Sequence, residues 1–113
     1  MRHIRADEID EVLAETHHPD PKKRTEALRQ LCPCHLRRNI PEVWSRVFEL
    51  VEDPEPRVRS NALHLLADGS PREFLTEVVT SIDKLTHDAD PKIRRQARRV
   101  MGHYHRTGQV NIL

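Results

Sequence analysis

The chain has 113 residues, with 36% hydrophobic and 33% charged side chains, three glycines, four aromatics and a formal net charge of +1. That is the size of one domain, with a lean core, since a chain this short buries only about two-thirds of its unfolded surface. No apolar run approaches the ~20 residues that span a bilayer, no charged-then-apolar leader begins at Met1, and two cysteines do not make a disulfide framework, so we expect a cytoplasmic protein.

In chain order, the apolar spacing predicts helices near 4–16, 20–32, 41–51, 55–67, 71–86 and 90–104. Pro21, Pro56 and Pro91 stand at the first helical position of the second, fourth and sixth, where the missing N–H costs nothing. Each follows an acidic residue, Asp20, Glu55 or Asp90, that is suited to capping free N–H groups, with glutamate the weaker cap. The third helix opens at Asn39-Ile40-Pro41-Glu42 and the fifth at Ser70-Pro71-Arg72-Glu73, which reads as a capping box. Val43, Val47, Leu50 and Val51 share one face, as do Phe74, Val78, Ile82 and Leu85, and no segment alternates at period two. The expected fold class is all-α.

These elements repeat every 35 residues. Asp20-Pro21-Lys22-Lys23-Arg24 with Ala27 and Leu31 is followed by Glu55-Pro56-Arg57-Val58-Arg59 with Ala62 and Leu66. The third copy is Asp90-Pro91-Lys92-Ile93-Arg94 with Ala97 and Met101. Upstream, Val12, Val47 and Ile82 align, as do Ile9, Trp44 and Val79, with Trp44 fitting the core or the outer face of its helix. Helical hairpins of this kind bury their apolar faces by stacking. The expected architecture is a single domain over 1–113, a short α-solenoid of three hairpins at about 4–35, 39–70 and 71–104, followed by a tail at 105–113.

The pattern of acid, Pro, base, Val or Ile, Arg, then Ala and Leu resembles the HEAT repeat, above all the HEAT-like repeats of bacterial proteins. The resemblance covers about residues 5–104. It implies a ladder between repeats, with Arg24, Arg59 and Arg94 as the arginines and Asp53 and Asp88 as the acids. His18 occupies the acid's position in the first repeat, which leaves the ladder incomplete there, and Lys23 replaces the apolar Val58 and Ile93. The resemblance also implies a binding scaffold, with the second helices lining a concave surface.

Charge is sorted along the chain: net −3, −4 and −4 over 1–16, 41–56 and 73–90, against +4, +2 and +6 over 17–40, 57–72 and 91–113. With Val58, Ala62, Leu65 and Leu66 inward, Arg57, Ser60 and His64 point outward, and their counterparts are Lys22, Thr25 and Arg29, and Lys92, Arg95 and Arg99. Lys22, Arg29, Arg57, His64, Lys92, Arg95 and Arg99 are therefore the candidate partner-binding residues. The partner read from them is an acidic protein surface or segment. A nucleic-acid backbone is the alternative, although the stripe lacks aromatics to stack on bases. Self-association of an acidic back with a basic front stays open.

Cys32-Pro33-Cys34-His35 is the one run with metal-ligand chemistry, and zinc there needs a fourth ligand from His17, His18 or His64. Set against this, Cys32 aligns with the small Ala67 and Gly102, and Cys34 with Gly69, so no metal and no other cofactor is expected. No glycine-rich phosphate loop, G-x-S-x-G or H-E-x-x-H occurs, and no enzymatic activity is expected. In the tail, Gly108 stops a helix, while Val110, Ile112 and Leu113 suit a cap over the edge of the last repeat or a docking peptide.

Overall fold

A computed structural model describes residues 5–36 and 39–113, apart from the side chains of Ala6, Cys34 and His35. All regular elements among the described residues are helical: α1 (Ala6–Glu15), α2 (Pro21–Gln30), a single turn α3 (Pro33–Leu36), α4 (Pro41–Leu50), α5 (Pro56–Leu66), α6 (Leu75–Leu85) and α7 (Pro91–Thr107). None is long and apolar enough to cross a membrane. Residue 4, the expected start of the first helix, lies outside the described residues.

Local side-chain chemistry marks where α2 and α7 begin. Asp20 accepts from the Lys22 N–H at 3.0 Å, and Asp90 from those of Lys92 and Ile93 at 2.8 and 3.2 Å, just ahead of the prolines that open α2 and α7. Glu55 makes no such bond. Instead the Asp53 carboxylate, two residues earlier, accepts from the Glu55 N–H at 2.9 Å.

The capping box at Ser70 does not form. Asn111 claims Ser70, accepting from its N–H at 2.9 Å and its hydroxyl at 3.3 Å and donating to its carbonyl at 3.2 Å. Residues Arg72–Phe74 wind as a 3-10 turn, and the α-helix starts only at Leu75. Asn39 does not cap either: Ile40 occupies the cap position of α4, and the Asn39 carboxamide donates to the Glu73 carboxylate.

α1 packs on α2, α4 on α5 and α6 on α7; α5 also touches both α2 and α7, and α4 touches α6. The core lies between these helices. Ala27, Ala62 and Ala97 are buried, as are Val12, Val47 and Ile82, and Trp44 is a core residue. The small alanines permit close approach, which a larger side chain would block. Gly69 serves a similar end, because a Cβ there would lie 2.8 Å from Cβ of Pro33. Phe48 and Phe74 meet edge to face at 6.3 Å between α4 and the 3-10 turn. Lys23 is exposed where Val58 and Ile93 are buried. The molecule measures 39 × 27 × 23 Å with a radius of gyration of 13.3 Å, close to the ~13 Å of a compact chain this long.

The last helix runs to Thr107, past the expected end at 104, and stops where Gly108 adopts φ +76°. The tail then turns back. Val110 is 3% exposed, and the Leu113 N–H donates to the Ala67 carbonyl at 2.8 Å. The tail thus returns to the connection between α5 and α6, where Asn111 and the Leu113 N–H find their hydrogen-bond partners.

Candidate binding face and its cleft

The arginine–aspartate pairs set the turns that precede the second helix of each pair. Arg24 Nε and Nη2 donate to the two Asp53 oxygens at 3.0 Å each, 29 residues away. Its Nη1 donates to the carbonyls of His18 and Pro19 at 2.9 and 3.0 Å. Arg59 repeats the arrangement with Asp88 at 2.8 and 2.9 Å, and with the carbonyls of Asp53 and Pro54 at 2.9 and 3.2 Å. Such bidentate pairs are strong and directional. Arg94 donates to the Asp88 carbonyl at 2.8 Å, and among the described residues no carboxylate pairs with it.

His18 takes over one task of the missing aspartate. Its Nδ1 accepts from the Asp20 N–H at 2.9 Å, just as Asp53 and Asp88 accept from Glu55 and Asp90. The Arg59 hydrogen bond to Asp88, with help from the Asp90 N–H, holds the Asp88 carboxyl below its usual range against the opposing effect of burial.

Two further anchors escaped sequence reasoning. Arg46 of α4 donates to the Thr16 hydroxyl and carbonyl at 2.9 and 3.0 Å, closing the end of α1. Arg98 of α7 donates to the Thr86 carbonyl at 3.1 Å, closing the end of α6. Thr16 and Thr86 are buried, and each hydroxyl donates to the carbonyl three residues before it. The recurrence of threonine two periods apart was the available signal.

α2, α5 and α7 carry Lys22, Arg29, Arg57, His64, Lys92, Arg95 and Arg99, and all seven are exposed. Among the described residues, none of the six lysines and arginines in this set takes part in an ion pair. Thr25, expected to face outward with them, is 5% exposed. Its hydroxyl donates to the Pro21 carbonyl at 2.9 Å, which satisfies it where neighbouring helices cover α2.

A cleft of about 500 Å³ opens on this side of the molecule, lined by Arg29, Ser60, Asn61, His64 and Gln96 with Cys32 and Leu65. It joins Arg29 to His64; the other five candidate residues lie outside its lining. Among acids of the first helices, Glu11, Glu15, Glu42, Glu49, Glu77 and Asp83 are exposed.

Of the Cys32-Pro33-Cys34-His35 run, the side chains of Cys34 and His35 lie outside the described residues. Cys32 Sγ lies 3.3 Å from Asp68 Oδ2, and His64 Nε2 lies 4.0 Å from the same oxygen. Nothing in the residue order singles out Asp68, since only the packing of α2 against α5 brings it to Cys32. His17 and His18 do not join this group.

No family model, curated protein or solved structure matches this chain.

Proposed function

We propose that the protein is a cytoplasmic, non-catalytic binding module, a HEAT-type solenoid of three hairpins that engages an acidic protein segment through α2, α5 and α7. The observation that carries this reading is the set of six exposed lysines and arginines on those helices, free of ion pairs with described residues. Cations left without an internal partner create a surface potential that attracts carboxylates and steers association. The solenoid reading draws support from the pairwise packing of consecutive helices and from the two arginine–aspartate contacts of identical spacing. The near-balanced net charge and the lack of aromatics among the seven candidates favour a protein segment over nucleic acid.

The test is fluorescence anisotropy with a labelled glutamate-rich peptide, alongside mixed-sequence duplex and single-stranded oligonucleotides, at ~50 and ~200 mM salt. The expected result is peptide binding that disappears in an Arg57→Glu, Arg95→Glu double variant with an unchanged melting temperature. Oligonucleotide binding that falls steeply with salt and is lost in the same variant would transfer the face to nucleic acid. Peptide binding that survives the double reversal would show that this is the wrong surface.

A further inference from the structure

The helical packing creates a constellation that neither the basic face nor the Cys-Pro-Cys-His run describes. Cys32 follows α2, His64 sits in the last turn of α5, and Asp68 comes four residues later, just past the end of that helix. The i, i+4 spacing puts His64 and Asp68 on one side of α5, and the packing of α2 on α5 delivers the cysteine sulfur to them. One sulfur, one nitrogen and one oxygen atom from the three side chains lie within 4.8 Å of one another.

We propose that Cys32, His64 and Asp68 form a binding site for a divalent transition-metal ion of the zinc class. Three lines of chemistry converge on it. The first is spacing: zinc bonds of ~2.0–2.3 Å in a tetrahedron place neighbouring ligand atoms about 3.3–3.7 Å apart. The sulfur–oxygen distance is 3.3 Å, the nitrogen–oxygen distance 4.0 Å, and all three atoms lie within 4.8 Å of one another, near that spacing.

The second is the donor set. Thiolate and imidazole select zinc over magnesium or calcium, and one thiolate with one carboxylate neutralises a dication. Cys32 enters as the thiolate, and its proton passes to solvent. The third is access. Cys32 is 5% exposed and buried against the core, whereas the His64 side chain is 48% exposed. Both line the cleft, which leaves a fourth coordination position for water or an exogenous ligand.

The experiment uses the full chain, stripped with chelator and titrated with Co²⁺ and then Zn²⁺. One equivalent of Co²⁺ is expected to give a sulfur-to-cobalt charge-transfer absorption that Zn²⁺ displaces. Cys32→Ser should abolish the band, and His64→Ala and Asp68→Asn should each weaken binding by about tenfold or more. His64→Ala removes a half-exposed side chain, so it tests the site even if the cysteine variant fails to fold. Zn²⁺ should also raise the melting temperature of the unaltered protein, and raise that of His64→Ala by less at the same zinc concentration. Absence of stoichiometric binding would overturn the site. So would a charge-transfer band that persists in His64→Ala and Asp68→Asn but is lost in Cys34→Ser, since the metal would then belong to the Cys-Pro-Cys-His run.

Discussion

Arg59 grips Asp88 with two parallel hydrogen bonds of 2.8 and 2.9 Å, while its third nitrogen holds the carbonyls of Asp53 and Pro54. One guanidinium thus joins the turn before its own helix to the turn before α7. Both side chains are largely withdrawn from water, at 15% and 6% exposure. Removing Asp88 leaves the part-buried Arg59 guanidinium with only the carbonyls of Asp53 and Pro54. Asp88→Ala is expected to cost about 1.5–3 kcal/mol, the range for hydrogen bonds to charged groups. Asp88→Asn should cost less, because its carbonyl can still accept from the Asp90 N–H. Urea denaturation of the two variants checks the order.

The same pair makes stability depend on pH. Asp88 in the folded protein gives up its proton more readily than in the unfolded chain, chiefly through its hydrogen bond to Arg59. Its contribution is complete above the ordinary aspartate pKa of about 3.9 and is lost as pH falls through the lower folded value. The difference in melting temperature between the unaltered protein and Asp88→Asn should therefore shrink as pH drops below that range. A difference that stays constant into acid would show that the ion pair adds nothing.

Ala62 is fully buried, in the helix that packs against α2, α4, α6 and α7. Ala62→Leu forces three extra carbons into that junction and should cost about 1–3 kcal/mol. Surface substitution of Lys23 to alanine, in register with two buried residues but itself exposed, should leave the melting temperature close to the original. Thermal denaturation compares the two.

Asn111 brackets Ser70 with three hydrogen bonds, and Val110 is buried beside it. Asn111→Ala should destabilise the protein by about 1–2 kcal/mol. It should also raise amide exchange at Leu113, whose N–H is bonded to Ala67. Unchanged exchange there would mean that the tail is held by Val110 alone.

Much of the fold is legible in the residues because the relevant signals are local and occur three times over. The caps at Asp20 and Asp90, the prolines after them, and the apolar spacing around Ala27, Ala62 and Ala97 all act within one or two helical turns. Competition from distant groups is what local reading misses. Ser70 has the sequence of a capping box, yet Asn111, 41 residues away, takes its hydrogen bonds and delays the helix to Leu75. Thr25 reads as an outward position but is covered, and its hydroxyl tolerates this because it is satisfied within its own helix.

The candidate site divides along the same line. The basic stripe is a helical periodicity, and a periodicity is written in the residue order. The meeting of Cys32 with His64 and Asp68 depends on how one helix lies against another, over sequence separations of 32 and 36 residues. Side-chain spacing along a helix is set by backbone geometry, which each residue carries with it. Spacing between helices is set by the packing of the whole core, and only the folded chain decides it.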